Sequence, residues 1–283
     1  SHTVTATATD TAGNVSSASS ALTVTVDQTR PTVTSIVRAS SAAALTNTSP
    51  VFTVTFSESV SGVVAANFSA NKGTGVSGTE SIAVSGSGTT WTVTVSGLTG
   101  DYGTNTNATV GLTVVPGTTI SDTAGNLLTS ATVSGTNESY NLDTTTPTYA
   151  ITYSRTAPLN AGAVTLTVTA NEALSAAPTI SINQPGTTDI SSASTTGSGP
   201  YTYAYTVVAA NAGTYVDGTA TVTVSGSDLA GNTGTSITSG GTFAIDTTAP
   251  SVALTYAIAS SVPANATAAG NLTFSSSLSR PVT

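Results

Sequence analysis

The chain of 283 residues is long enough for about two domains, yet only 6% of its residues are charged. Thirteen acidic and five basic residues give a net charge of −8, which argues against nucleic acid as a partner and favours cations. The absence of cysteine excludes disulfides and thiol chemistry, so a metal site would have to use oxygen ligands.

The first 26 residues alternate between threonine and apolar residues on both sides of a short turn. The alternation runs over residues 3–9 and 21–26, and β-branched residues dominate both runs. This period of two predicts a β-hairpin. Comparison with the later repeats identifies residues 1–26 as the C-terminal strands of an incomplete domain.

Residues 27–142 form the first complete domain. Gly, Ser, Asn and Pro separate its β-rich runs. Seven strands are predicted, at residues 32–38, 50–56, 67–70, 80–85, 89–95, 108–115 and 130–140. Seven short strands at this spacing are typical of an immunoglobulin-like sandwich.

Residues 143–245 repeat the scheme, and residues 246–283 begin a third unit. Strands of the second domain are predicted at residues 149–155, 163–170, 179–183, near 189, and at 201–208, 219–225 and 241–245. The third unit contributes residues 251–257 and 271–274 as the first strands of an incomplete domain. No stretch has a helical period. The predicted fold is therefore all-β: immunoglobulin-like sandwiches in tandem, joined end to end by short linkers that contain proline.

Two short motifs recur in all three units. The loop D-x-A-G-N occupies residues 10–14, 122–126 and 228–232, and the linker D-x-T-x-P occupies residues 27–31, 143–147 and 246–250. Their period of about one hundred residues is that of a domain and is too long for a solenoid repeat. The glycine of each loop permits a sharp turn that aims the Asp and Asn side chains at one point.

The sandwich topology predicts that these motifs meet. Two loops of such a domain, BC and FG, lie at the pole where the preceding linker enters. The D-x-A-G-N loop would be the FG loop, while Glu58 and Glu172 lie in the BC loops. The expected clusters are Asp27, Glu58, Asp122 and Asn126 at the first junction, and Asp143, Glu172, Asp228 and Asn232 at the second. Equivalent loop and linker positions add Asp10, Asn14 and Asp246 as candidate ligands.

Crowded carboxylates repel one another unless a cation holds them. Calcium takes six to eight oxygen ligands and is therefore the predicted structural cofactor. Eight of the thirteen acidic residues occupy these loop and linker positions, which favours a site over chance. The alternative is that the loops are simply favourable turns and the linker Asp is a capping residue. At the third junction Ser276 replaces the expected Glu, so a site there is predicted to be weak or absent.

Together with the run VTFSESV at residues 54–60, the two motifs resemble the bacterial Ig-like tandem repeats of large secreted and surface adhesins. The resemblance covers essentially the whole chain. It implies spacer domains, often made rigid by calcium at their junctions, that hold a terminal binding domain away from the cell.

The leading interpretation is a structural, non-enzymatic spacer of a bacterial cell-surface or secreted adhesin-like protein. His2 is the only histidine, so neither a nucleophile–base pair nor a His-supported metal centre can be assembled. No apolar run is long enough to span a membrane, and the chain reads as an internal piece of a longer exported protein whose neighbouring repeats are its partners.

Two alternatives stay open. The chain could be a subunit of an extracellular filament or surface layer, in which the end fragments pair between molecules. It could also be a carbohydrate- or ice-binding module. Trp91, the tyrosine row at residues 201, 203 and 205, and the alternating threonines raise that alternative. We interpret them instead as a core anchor, a structural row and the solvent side of strands.

Overall fold

The computed structural model describes residues 1–39, 43–115, 119–186, 189–211, 215–258 and 272–278, with side chains omitted at 253–258 and 272–278. Within these ranges the structure has twenty β-strands, and Ala65–Asn67 forms a 3₁₀ turn. None of the described residues forms a helix that could cross a membrane. The all-β prediction is confirmed.

The chain divides into two compact units. Unit 1 comprises residues 1–147, 171–176 and 227–234, and unit 2 comprises residues 148–170, 177–226 and 235–283. The two short segments of unit 1 are the BC and FG loops that the sequence assigns to the second domain. Every residue of both predicted acidic clusters therefore lies in unit 1.

Unit 1 contains a hairpin and a two-sheet sandwich. Its strands are β1 (His2–Val4), β2 (Leu22–Val24), β3 (Val33–Arg38), β4 (Leu45–Thr46), β5 (Val51–Val60), β6 (Phe68–Lys72), β7 (Val76–Gly100), β8 (Thr109–Val114) and β9 (Ser139–Leu142). The exposed strands β1 and β2 pair with each other, and the others form sheets of order β3-β5-β7 and β4-β9-β8-β6. These are the A–B–E and A′–G–F–C pairings of an immunoglobulin-like sandwich.

Period-two burial builds the core of this sandwich. Phe52, Val54 and Phe56 of β5 are buried, while the residues between them are half-buried. The ring of Tyr140 meets Phe52 edge-on at 5.3 Å between centroids. Trp91 packs against the same core, which confirms its interpretation as a core residue.

Unit 2 repeats the sandwich. The remaining strands are β10 (Thr148–Tyr153), β11 (Gly162–Ala170), β12 (Thr179–Asn183), β13 (Ile190–Ser194), β14 (Tyr201–Val207), β15 (Gly218–Ser227), β16 (Thr233–Gly234), β17 (Ser236–Ser239), β18 (Thr242–Ile245), β19 (Val252–Ile258) and β20 (Leu272–Leu278). All of them belong to unit 2 except β16 and the last residue of β15, which lie in the segment 227–234 of unit 1. One sheet has the order β14-β11-β10-β17, and in the other β15 lies between β12 and β18, with β13 at the edge beside β12. Strands β19 and β20 pair antiparallel with each other.

The predicted strands differ from the observed ones in four places. Strand β5 runs to Val60, so Glu58, which was predicted in the BC loop, lies in the last part of this strand. Residues 80–85 and 89–95 lie in the single run β7, which folds back on itself so that the Ser96 hydroxyl donates to the Ser81 carbonyl at 3.2 Å. The strand predicted at 130–140 is mostly loop, because only Ser139–Leu142 is a strand and Val133 makes an isolated bridge to Val33. The short strands β4, β16 and β17 were not predicted, because two to four residues carry no periodicity.

Candidate metal centre

Each D-x-A-G-N loop closes on its own aspartate. Asp122 Oδ1 accepts the backbone N–H groups of Ala124 at 2.9 Å and Asn126 at 2.8 Å, and Oδ2 accepts Asn126 Nδ2 at 2.8 Å. Gly125 has a φ of 91°, as the sharp turn requires. The loops at Asp10 and Asp228 repeat the Asn-to-Asp bond at the same 2.8 Å. Turn chemistry therefore accounts for the loop's shape.

The loop asparagine also ties the loop to the linker. Asn126 Nδ2 donates to the Asp27 carbonyl at 3.1 Å, and Asn232 Nδ2 donates to the Asp143 carbonyl at 3.0 Å. Each amide nitrogen thus bridges a carboxylate and a linker carbonyl. Only the amide oxygen of these two predicted ligands is left to approach a cation.

The first predicted cluster is assembled. Asp27, Glu58 and Asp122 each bring a carboxylate oxygen within 4.8 Å of the others. The hydrogen bond from Asn126 lowers the pKa of Asp122, which is 4% exposed. Desolvation, followed by the charges of Asp122 and Asp27, raises the pKa of Glu58. The loop therefore stabilises the ionised form of Asp122, whereas burial and the neighbouring charges disfavour the ionised form of Glu58.

The second cluster gathers four carboxylates. Asp101, Asp143 and Glu172 bring carboxylate oxygens within 4.8 Å of one another. Asp228, 1% exposed, lies near enough for its charge to raise the pKa values of Asp143 and Glu172, although burial is the larger cause for both. Asp143 is held in place, since Oδ2 accepts Gly103 N–H at 2.9 Å.

Glu172 is the least compensated member of the second cluster. Both of its carboxylate oxygens are shielded from solvent, and no described residue donates a hydrogen bond to them. Desolvation, followed by the charges of Asp143, Asp228 and Asp101, raises its pKa to about 7. A Cβ on Gly103 would lie 1.9 Å from Glu172 Oε2, so glycine is needed for this approach. A shielded carboxylate without donors is costly unless a cation compensates it.

Asp101 is the ligand candidate that sequence reasoning missed. It follows β7 directly and makes an isolated antiparallel bridge with Asp143. The prediction considered only loops of the domain after the linker, whereas Asp101 belongs to the loop after β7 of the domain before it. An acidic residue directly after this strand is the signal that could have found it.

The remaining predicted ligands join neither cluster. Among the described side chains, three or more acids meet only at the two places above. Asp10 and Asn14 form the loop on the exposed β1–β2 segment, and the backbone N–H of Asp246 donates to the Leu159 carbonyl at 3.0 Å. The side chain of Ser276 lies outside the described ones.

The linker after Asp246 is held by another acid, Asp217. Its Oδ1 accepts the N–H and the hydroxyl of Thr247 at 2.7 and 2.8 Å. Its Oδ2 accepts the N–H and the hydroxyl of Thr248 at 3.1 and 2.6 Å. Hydrogen bonds from Thr248 and Thr247 lower the pKa of Asp217 to about 2.

The donor set of both clusters fits a hard cation. It consists of carboxylate, amide and backbone carbonyl oxygens, which suit calcium or magnesium better than zinc or copper. The shielded and unpartnered oxygens of Glu172 are the structural feature that such an ion would satisfy. Calcium tolerates irregular coordination better than magnesium does.

Comparisons with known proteins give limited information. No protein-family model and no curated protein sequence matches the chain. One similar solved structure is the full ectodomain, Ig1–Ig3, of mouse nectin-like molecule 4, with 14% identity and a TM-score of 0.26; the match covers 75% of this chain and 64% of that one. Another is a tetra-tandem repeat in the extending region of a large adhesion protein, with 15% identity and a TM-score of 0.28, covering 98% of this chain and 69% of that one. This chain spans less than two thirds of the nectin-like structure, and such scores do not assign a function.

Proposed function

We propose that the chain is a structural, non-enzymatic spacer segment of a bacterial surface or secreted adhesin-like protein, and that it binds calcium at the junctions between its domains. The observation that carries the proposal is Glu172, whose shielded carboxylate has no described donor and faces three other acids. Such a group needs either a proton or a cation. At neutral pH in millimolar calcium, the cation is the natural partner.

The chain's own residues prepare the second site. Gly103 leaves room for Glu172 and orients Asp143, while Asn232 fixes Asp228 against the linker carbonyl. When bound, calcium would supply the positive charge that lets Asp101, Asp143, Glu172 and Asp228 all be ionised. These residues come from four separate segments of the sequence, so an ion would tie the linker at Asp143 to loops distant in the chain.

The repetition of this arrangement supports a spacer role. The same Asn bridge between loop and linker occurs at Asp27 and at Asp143. Extracellular calcium is millimolar, so a site with a dissociation constant of about 10⁻⁴ M would be largely filled outside a cell. We therefore propose an extracellular location, with neighbouring repeats of a longer chain as partners.

Calcium titration of the full chain tests the proposal. Calcium should raise the free energy of unfolding by about 2.7 kcal/mol at a hundredfold excess over the dissociation constant, and chelator should reverse the effect. Small-angle scattering in the same two conditions reports whether the ion limits flexibility. Asp143→Ala and Asp228→Ala should remove the response of the second site.

Glu138→Ala is the matched control, because Glu138 pairs with Arg38 instead of joining a cluster. It should respond to calcium as the wild type does. If chelator changes neither the unfolding free energy nor the scattering curve of the wild-type chain, the acids serve as turn residues only and the calcium proposal is wrong.

A further inference from the structure

Unit 2 has a cavity that is separate from both acidic clusters. Its volume is about 330 Å³, and β13 and β14, the edge strands of the two sheets, contribute much of its lining. The lining includes three tyrosines and one acid: Tyr203, Tyr205, Tyr215 and Asp189.

A buried glutamine fixes one wall of the cavity. Tyr205 donates its hydroxyl to Gln184 Oε1 at 2.9 Å, and Gln184 Nε2 donates to the Val208 carbonyl at 2.8 Å. Gln184 is only 1% exposed, so it holds Tyr205 and Val208 in place. Burial raises the pKa of Tyr205 to about 12.

The other polar groups of the cavity are free to bind a ligand. Tyr203 lies two residues from Tyr205 on the same face of β14. The side chains of Tyr203, Tyr215 and Asp189 have no hydrogen-bond partner among the described residues. The cavity therefore offers aromatic rings together with the hydroxyls of Tyr203 and Tyr215 and the carboxylate of Asp189.

We infer that this cavity binds a neutral pyranose sugar. Tyrosine rings present an apolar body and a polar tip, which suits a molecule with C–H faces and a rim of hydroxyls. The Asp189 carboxylate can accept bonds from sugar hydroxyls, whereas it would repel a sialic or uronic acid. Among the described residues, none that lines the cavity is basic.

The size and composition of the cavity favour a short saccharide. Its volume lies near the lower end of the range of about 300–1,000 Å³ for ligand pockets, so one or two sugar rings would fit. A proline-rich peptide also stacks on tyrosines, but proline side chains have no donor that could bond to the Asp189 carboxylate. Part of the tyrosine row is structural, because Tyr201 is buried and does not line the cavity.

Saturation-transfer NMR of the full chain tests the inference, with the methyl glycosides of glucose, galactose, mannose and N-acetylglucosamine as probes. We expect transfer to the C–H protons of at least one glycoside. Asp189→Asn should weaken binding by about tenfold, because a charge-assisted hydrogen bond becomes a neutral one. Tyr215→Ala should weaken it further. Thr113→Ala, at an exposed position of β8 in unit 1, is the control and should leave binding unchanged.

Circular dichroism confirms that each variant is folded before it is compared. If no glycoside receives saturation from the wild-type chain, the inference is wrong. It is equally overturned if Asp189→Asn and Tyr215→Ala bind as the wild type does. If a decaproline peptide binds the wild type and the glycosides do not, the cavity is a peptide site instead.

Discussion

Replacing Glu172 with glutamine should stabilise the protein without calcium and weaken its response to calcium. The Glu172 oxygens are shielded, have no described donor and lie near three other acids. Glutamine is nearly isosteric with glutamate and removes the charge. The variant therefore avoids the repulsion that the calcium-free protein experiences, but it lacks one anionic ligand.

The raised pKa sets the size of the effect. A rise from the ordinary value of 4.5 to about 7 corresponds to about 3 kcal/mol. Because Glu172 is partly exposed, solvent screening reduces the expected difference to about 1–2 kcal/mol. The folded protein holds this proton more tightly than the unfolded chain does. The loss of folding stability caused by ionised Glu172 is therefore absent below about pH 4.5, grows as the pH rises, and is complete above about pH 7.

Urea unfolding followed by the fluorescence of Trp91 measures this difference, because Trp91 is the only tryptophan and lies in unit 1 with Glu172. In chelator, wild type and Glu172→Gln should be equally stable at pH 4 and should diverge by pH 8. Glu80→Gln is the control, since Glu80 pairs with Lys72 at 2.7 Å. If Glu172→Gln shows the same pH dependence and the same calcium response as the wild type, the reasoning about the second cluster is refuted.

Three further predictions concern the groups around the clusters. Gly103→Ala should remove the second calcium site, because its Cβ would collide with Glu172, while Gly111→Ala, whose Cβ would make an ordinary 3.6 Å contact, should leave calcium titrations unchanged. Asn232→Ala should lower the free energy of unfolding by about 1–2 kcal/mol in urea titrations, whereas Asn14→Ala on the exposed hairpin should cost less than about 0.5 kcal/mol. Asp217→Asn should speed hydrogen exchange at the Thr247 and Thr248 amides. In the wild type, where the pKa of Asp217 is about 2, their protection should persist above about pH 4 and fall as the pH drops from 4 to 2.

Sequence periodicity predicted most of the fold because the core follows it closely. In β15, Ala220, Val222 and Val224 are buried while Thr221 and Thr223 are exposed, so alternation alone identifies the strand and its inner face. The same alternation shows that these threonines lie on the solvent side. A strand of two residues such as β4 shows no alternation. Its position depends on the neighbouring strand, because Leu45 and Thr46 pair in parallel with Asn141 and Leu142.

The candidate site was predicted where a repeated motif marked it. The D-x-A-G-N motif marks the loops of Asp122 and Asp228 and includes their asparagines. The sandwich topology places that loop beside the linker. Asp101 and Asp217 belong to no recurring motif. They lie in the loops after β7 and β14, and tertiary structure alone brings each against the linker that follows.

These two acids act on their linkers in different ways. Asp217 accepts four hydrogen bonds from Thr247 and Thr248, so donors of the chain itself stabilise its negative charge. Asp101 instead adds a negative charge to a cluster that already holds Asp143 and Glu172. The carboxylate that faces the linker at Thr247 is therefore compensated without an ion, whereas the carboxylate cluster at Asp143 is not, because the Glu172 oxygens have no described donor. Chelator should accordingly speed hydrogen exchange at the Thr145 amide, which donates to Asp143, and leave the Thr247 amide unchanged. Equal acceleration at both amides would contradict this difference between the two linkers.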